Sequence, residues 1–311
     1  MIIILCWLLP VLARPAAALA AEHCGAVGAA LQVLGSGGPI ADDARAGSAY
    51  LLWRDGRARV MVDAGSGAAL RFGQSGAALI KSGYFSPRRR PLAVSGPTSG
   101  GVFPGLAAFL QRTFDSQDGV FGYLAGALDG SGGQFPLAPE EIEARPGVVT
   151  AIAERPDVRI AAIGVDHGPV PALAYRVEMN GVSVVFSGDQ TGRGEGFWAF
   201  AGAADVLVMH HAIPASAGRT ARRLHATPAQ IGRGAARAGV GRLVLSHFMA
   251  RSLADLDHSL AEIGRHYRGP VTLAEDLLCL PLTPRPIAGA DHKRARNLLG
   301  SGADAPPSFG N

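Results

Sequence analysis

The chain has little charge, few aromatic residues and almost no lysine. Charged residues make up 17% of its 311 residues and aromatic residues 6%, and only Lys81 and Lys293 among the 29 basic residues are lysines. The formal net charge of +4 is small for this length, and no basic stripe with interleaved aromatic residues is present. We therefore expect no nucleic-acid partner. Because hydrophobic residues make up 48% of the chain, we expect a folded core rather than disorder.

Cysteine is also scarce, and the three cysteines lie far apart. Cys6 falls in an apolar run from Ile2 to Leu12, which precedes a stretch of small residues. This pattern is typical of a secretory signal peptide, and it is shorter than the about 20 residues that span a bilayer. We expect a signal peptide over residues 1–21, a periplasmic or secreted protein and no stable membrane anchor. Cys24 and Cys279 are then either a disulfide pair or two unrelated buried thiols.

The remaining chain is predicted to form one α/β domain over residues 22–283, followed by a flexible tail over 284–311. Asn180-Gly181 predicts a hairpin turn. Thr227-Pro228 predicts the start of a helix that ends at Gly239. Strands are expected at 30–34, 49–53, 59–62, 158–165, 172–177, 182–186, 206–209, 243–245 and 271–273, and helices at 68–80 and near 103–114. Strands pair first in hairpins and then alternate with helices, which favours a sandwich of sheets with helices outside.

Three residues that bind metals well follow predicted strands. His167 follows the strand that ends at 165, Asp189 follows the one that ends at 186, and His247 follows the one that ends at 245. Each residue alone is more often structural, as a turn aspartate or a hydrogen-bonded histidine. Their recurrence at the same kind of strand end favours a metal site. Imidazole and carboxylate ligands suit zinc, and manganese or iron are alternatives.

Further histidines lie between the last two of these positions. His210 and His211 end a predicted strand, and His225 precedes the helix that begins after Thr227. They are either polar loop residues or part of the site. In the second interpretation His225 acts as a general acid or as a donor to phosphate.

The motifs in their order resemble the metallo-β-lactamase superfamily, in the branch of ribonuclease Z, arylsulfatase-like and cyclic-nucleotide phosphodiesterase-like hydrolases. The resemblance extends from about Leu31 to Leu280. The segments that carry it are Leu34-Gly35-Ser36-Gly37-Gly38-Pro39, Val62-Asp63-Ala64-Gly65, Asp166-His167, Pro171-Ala172-Leu173-Ala174-Tyr175-Arg176, Phe186-Ser187-Gly188-Asp189, His225-Ala226-Thr227 and Leu245-Ser246-His247-Phe248.

The resemblance implies an αββα sandwich and a role for each site residue. His167 would bind a first metal, Asp189 would bridge two metals, and His247 would bind the second. His225 would assist the leaving group or the charge of the transition state, and Asp63 would be structural. One or two zinc ions are implied as cofactors.

The superfamily's His-x-His-x-Asp-His motif is missing. It should follow Asp63, yet no histidine lies between His23 and His167. The missing part corresponds to one core strand, the ligand loop and part of a helix, and each metal keeps one histidine and a shared aspartate. His210 or His211 as a substitute ligand is a further alternative.

The sequence therefore predicts an exported metal-dependent hydrolase of phosphodiester or related ester bonds, with a small-molecule ester as substrate. Loss of the ligand loop leaves two alternatives open: an active enzyme, or a non-catalytic ligand-binding pseudoenzyme on the same fold. A homodimer is compatible with the sequence.

Overall fold

The computed structural model describes residues 24–40, 42–75 and 91–285. The predicted signal peptide, the predicted tail beyond residue 285 and the last part of the helix predicted over 68–80 lie outside the described residues. The limits of the domain stay a prediction. No helix of the described residues is long and apolar enough to cross a membrane.

Strands and helices alternate along the described chain. The strands are β1 (Ala29–Gly35), β2 (Ala49–Arg54), β3 (Arg57–Val62), β4 (Leu92–Pro97), β5 (Leu137–Ile142), β6 (Val149–Arg155), β7 (Val158–Val165), β8 (Ala172–Met179), β9 (Val182–Phe186), β10 (Val206–His210), β11 (Arg242–Ser246), β12 (Val271–Leu273) and β13 (Cys279–Leu282). The α-helices are α1 (Ala68–Gln74), α2 (Leu106–Phe114), α3 (Gly126–Asp129), α4 (Glu195–Phe200), α5 (Arg219–Arg222), α6 (Pro228–Ala238), α7 (Ala250–Leu253) and α8 (Leu256–Gly264). Short 3-10 turns cover Gly122–Leu124 and Ser131–Gly133.

Two large sheets form the centre of the fold. The first is a four-stranded antiparallel sheet in the order β13-β1-β2-β3. The second has seven strands in the order β12-β11-β10-β9-β8-β7-β6, antiparallel from β6 to β9 and parallel from β9 to β12. A separate two-stranded parallel sheet joins β4 and β5. The change from hairpins to parallel strands confirms the predicted arrangement.

The sheets pack face to face, with helices on both outer sides. Tyr50 of the first sheet and Phe186 of the second have ring centroids 5.3 Å apart within one buried cluster. On the far side of the first sheet, Phe72 of α1 packs in a second buried cluster with Trp53. Ile231 of α6 belongs to the main cluster on the other side. These layers are the αββα sandwich that the resemblance implies.

Helix α6 begins and ends at the predicted residues, and the turn between β8 and β9 lies where the sequence predicts it. The Thr227 hydroxyl accepts the backbone N–H of Gln230, and Gly239 ends the helix with φ of 62°. Asn180 and Gly181 both have positive φ, 53° and 73°, as a tight hairpin turn requires.

Strand β3 is the last strand of the first sheet among the described residues. Its first three residues are exposed and its last three are half-buried. No strand of the described chain pairs with its outer edge, where the resemblance calls for a further core strand. Residues 76–90, which follow α1, lie outside the described residues.

A disulfide joins Cys24 to Cys279, across 255 positions of sequence. It ties the segment before β1 to the start of β13, the strand that pairs with β1. Of the two alternatives for these cysteines, the structure therefore has the disulfide pair.

Candidate functional site

Four parallel strands of the seven-stranded sheet bring the predicted site residues to one edge. Because β7 and β9 are both antiparallel to β8, they run in the same direction as β10 and β11. Their carboxyl ends therefore meet at one edge of the sheet. His167 follows β7, Asp189 follows β9, His210 ends β10 and His247 follows β11. His225 lies in the connection from β10 to α6, at the same edge.

Asp189 lies at the centre of the cluster. Its Oδ2 is 3.2 Å from Nε2 of His247 and 3.8 Å from Nε2 of His167. The His225 ring centroid is 5.3 Å from that of His167 and 6.2 Å from that of His247. The structure thus brings together all four residues selected from the sequence, while the roles assigned to them stay predictions.

A backbone carbonyl orients His167. Its Nδ1 is 2.9 Å from the carbonyl oxygen of Leu224. A carbonyl only accepts, so Nδ1 carries the proton and Nε2 directs its lone pair toward Asp189. Gly168, with φ of 62°, lets the loop approach Leu224, because a Cβ there would lie 2.9 Å from a Leu224 methyl group. This second-layer contact is typical of metal-binding histidines.

A serine from the other sheet orients His247. The Ser48 hydroxyl donates to the carbonyl oxygen of Gly37 at 3.0 Å and lies 2.8 Å from Nδ1 of His247. Because its proton is used on Gly37, the hydroxyl accepts from Nδ1–H and leaves Nε2 facing Asp189. His247 has a φ of 57°, in the left-handed region that residues other than glycine seldom adopt.

Asp189 is held in the ionised form. A Cβ at the preceding Gly188 would lie 2.4 Å from the carbonyl oxygen of Leu173, so only glycine fits. Burial opposes ionisation, but the contact with His247 outweighs it and lowers the pKa of Asp189. The same contact overcomes burial and raises the pKa of His247.

His225 faces the cluster from a tightly held loop. It is 7% exposed, and its Nδ1 is buried without a hydrogen-bond partner. Its backbone N–H donates to the carbonyl oxygen of Ala221 at 2.9 Å, and the capping box of Thr227 follows. Burial, partly offset by Asp189, lowers the pKa of His225 to about 4.

The neighbouring histidines His210 and His211 make other contacts. Nε2 of His210 accepts the N–H of Ala226 at 3.1 Å, and its Nδ1 is 3.3 Å from the Ser187 hydroxyl. Burial lowers the pKa of His210 to about 3, so it is neutral and holds the loop that carries His225. His211 is fully buried, and its ring packs edge-on against Phe248. These contacts do not favour either residue as a substitute ligand.

The donor atoms present fit a zinc ion. Atoms of His167, Asp189 and His225 lie within 4.8 Å of one another. Nε2 of His247 is buried, 3.2 Å from Oδ2 of Asp189. An imidazole nitrogen beside an ionised carboxylate is a pair of donors that suits zinc. Three imidazoles and one carboxylate are a typical zinc donor set.

Sequence reasoning missed the residues that orient the ligands. Ser48 directly precedes β2 of the other sheet, 199 positions from His247, and Leu224 contributes only its backbone oxygen. Neither has a local sequence signal. Asp63, expected to be structural, directly follows β3; it is exposed, and its Oδ1 accepts the N–H of Ala64 at 2.7 Å.

Comparison with known proteins finds relatives over most of the chain. No family model matches it. A ribonuclease Z of Mycolicibacterium gilvum is 30% identical over 250 residues, covering 70% of this chain and 83% of the relative. A ribonuclease Z of Mycobacterium avium is 29% identical over 280 residues, covering 79% and 95%.

Solved structures share the fold. Human tRNase Z, short form, superimposes with a TM-score of 0.59 at 18% identity, over 82% of this chain and 99% of that one. The metallo-β-lactamase fold protein YhfI of Bacillus subtilis gives 0.57 at 19%, over 81% and 99%. Zinc-bound PqqB of Methylobacterium extorquens gives 0.51 at 15%, over 81% and 100%.

One expectation is wrong. Low charge and the lack of an aromatic-basic stripe led us to expect no nucleic-acid partner, but the relatives are ribonucleases. An average over the whole composition does not detect a short group of exposed arginines such as Arg219, Arg222 and Arg223, which precede His225.

Proposed function

Since the chain belongs to the metallo-β-lactamase superfamily, in its ribonuclease Z branch, we propose that it is a zinc-dependent phosphodiesterase that acts on RNA. The observation that carries this proposal is the convergence of His167, Asp189, His225 and His247 at one sheet edge. Fixed tautomers direct two imidazole nitrogens at one ionised carboxylate.

His167 and Asp189 would hold the zinc, with His247 beside the Asp189 carboxylate. When bound, zinc stabilises negative charge on a phosphoryl oxygen and promotes ionisation of water. The protein fixes the geometry: the Leu224 carbonyl holds the His167 ring, and the Ser48 hydroxyl holds the His247 ring. Asp189 stays deprotonated and ready to bind a cation. This pre-organisation reduces the rearrangement that binding requires.

Exposed arginines beside the site support an RNA substrate. Arg219, Arg222 and Arg223 precede His225 by two to six positions and are exposed. Among the described residues, none of these three arginines has a carboxylate within salt-bridge distance. The arginines that form salt bridges lie elsewhere. A guanidinium group matches phosphate in a two-point contact.

The catalytic proposal is tested with metal-replete full-length protein and a labelled RNA strand. We expect bound zinc and cleavage, and loss of both in Asp189→Asn. The matched control is Asp205→Asn, which removes a carboxylate that binds Ser183 at the opposite end of β9 and β10. If the unchanged protein neither binds zinc nor cleaves the RNA, the proposed enzymatic activity is refuted.

The proposed contact between the arginines and RNA is tested separately, by measuring RNA binding in the presence of a chelator. The charge-removing triple variant Arg219→Gln, Arg222→Gln, Arg223→Gln should weaken RNA binding. It should also reduce the slope of log K against log salt by about 2, since each contact with a single strand contributes about 0.7. The control removes the same charge at the opposite sheet edge, where three exposed arginines without salt bridges lie: Arg57, Arg155 and Arg268. If the two triple variants weaken RNA binding equally, the proposal of an RNA-binding surface at Arg219, Arg222 and Arg223 is contradicted.

A non-catalytic binding protein on the same fold is the second candidate. It is favoured by the lack of any histidine between His23 and His167, which removes the superfamily's ligand-rich motif. This candidate predicts little bound metal and a ligand-dependent rise in Tm. The lack of a Tm rise with RNA and with nucleotides would count against it.

We also propose export to an oxidising compartment. The Cys24–Cys279 disulfide supports export, because disulfides persist mainly outside the cytosol. The apolar run from Ile2 to Leu12 supports it as well. Cell fractionation with thiol labelling should find the protein oxidised and outside the cytoplasm. A reduced cytoplasmic protein would refute export.

A further inference from the structure

We propose that His225 is a zinc ligand in this chain. It would complete a single-metal site with His167 and Asp189, in place of the histidines that the sequence lacks. The proposal rests on zinc binding in the proposed function. It differs from the role that the family resemblance implies for His225, which is to assist the leaving group without contacting the metal.

The first argument is the number of ligands. A catalytic zinc usually has three protein ligands. The assignment taken from the resemblance gives each metal one histidine and the shared Asp189. His225 raises the first site to three ligands and leaves an open position for water or substrate. Among the described residues, His167, Asp189 and His225 are the one group of three or more ligand-type side chains with donor atoms close enough to share an ion.

The second argument is geometry. The donor atoms of the three residues lie within 4.8 Å of one another. Two ligands on tetrahedral zinc bonds of about 2.1 Å lie about 3.4 Å apart. The most widely separated pair must therefore approach by up to roughly 1.4 Å when the ion binds.

The third argument is the environment of the His225 ring. Its Nδ1 is buried and has no hydrogen-bond partner among the described residues. A buried polar atom without a partner is costly, and a metal ion would satisfy it. The backbone on both sides is fixed, since His225 N–H donates to Ala221 and Ala226 N–H donates to His210. The ring is therefore held at the cluster rather than free to turn to solvent.

His247 then has a different part. Its Nε2 is 3.2 Å from Asp189 Oδ2, the same oxygen that lies 3.8 Å from Nε2 of His167. In a single-metal site it holds the Asp189 carboxylate in place, and occupancy is one zinc per chain. A two-metal site would bind two.

The test measures zinc affinity of the full chain by competition with a chromophoric chelator. His225→Ala should bind zinc at least 100-fold more weakly than the unchanged protein, and stoichiometry should be one. His225→Cys keeps a zinc ligand in a small side chain and should restore most of the affinity. The control His211→Ala removes a buried histidine outside the cluster and should leave zinc affinity unchanged.

A spectroscopic reading separates ligation from structural support. In His225→Cys loaded with cobalt, a thiolate bound to the ion gives a sulfur-to-cobalt charge-transfer band, which the unchanged protein lacks because its described cysteines are in a disulfide. Absence of that band, or His225→Ala with unchanged affinity in a protein that binds zinc, overturns the ligand role alone. An unchanged protein that binds no zinc overturns this role and the proposed enzyme together.

Discussion

Removal of the Ser48 hydroxyl should weaken zinc binding without touching a ligand. In Ser48→Ala, Nδ1 of His247 loses the acceptor at 2.8 Å, and the carbonyl of Gly37 loses its donor at 3.0 Å. The imidazole is then free to rotate or to place its proton on Nε2, which faces Asp189. Loss of such an outer contact typically costs 10–100-fold in metal affinity, or about 1.4–2.7 kcal/mol.

The same substitution should also lower stability. Ser48 is 6% exposed, so two buried polar groups lose their partner, at a cost of about 1–3 kcal/mol. Zinc affinity is measured by chelator competition, and stability by urea unfolding of the metal-free protein. The two measurements keep a local loss of metal binding apart from general unfolding.

Ser183→Ala is the matched control. Ser183 is a buried serine at the start of β9, and its hydroxyl donates to Asp205 at 2.9 Å, at the end of the strand away from Asp189. It should lower stability by a similar amount and leave zinc affinity unchanged. The reasoning is refuted if Ser48→Ala binds zinc within twofold of the unchanged protein, or if both variants weaken zinc binding equally.

Three further outcomes concern stability. Replacing both cysteines of the disulfide by serine should lower the free energy of unfolding by about 2–5 kcal/mol, measured in urea, and a reductant should have no further effect on that variant. Burial opposes ionisation of Asp276, but N–H donors of Ala46 and Ser36 prevail and lower its pKa. This stabilisation is present above the pKa of the unfolded state, about 3.9, and is lost as the pH falls through the pKa of the folded state. Asp276→Asn should therefore lower the free energy of unfolding at pH 7 and lower it much less at pH 3. In Gly234→Ala, the new Cβ would lie 2.2 Å from the Trp198 indole, so we expect a loss of about 1–3 kcal/mol and altered tryptophan fluorescence; Gly264→Ala, with open space around its Cβ, should show neither.

Local signals predicted the strands and the helix that carry the site. The apolar runs at 158–165, 182–186 and 271–273 are β7, β9 and β12 with the predicted limits. Thr227 and Gly239 set the ends of α6 because capping depends on neighbouring residues alone. Periodicity and capping are local, so the sequence alone reveals them.

The contacts that complete the site were not predictable in this way. The parallel pairing of β4 with β5 joins strands about 45 positions apart, and a parallel ladder has no turn signal of its own. The pairing of Ser48 with His247 depends on two sheets packing together. The sequence around Arg219, Arg222 and Arg223 has no signal that sets it apart from an ordinary polar segment; the proposed RNA contact depends on the position of α5 just before His225.

The pairing of β1 with β13 has a consequence for biosynthesis. The edge strand β13 of the first sheet comes from one end of the described chain and its neighbour β1 from the other, so the two cannot pair before β13 has been synthesised. Cys24 must wait for Cys279, 255 positions later, which is roughly 13–50 seconds at ordinary elongation rates. Over that interval Cys24 is an unpaired thiol open to wrong partners. Formation of this bond in pulse-labelled chains therefore times the meeting of the segment before β1 with β13.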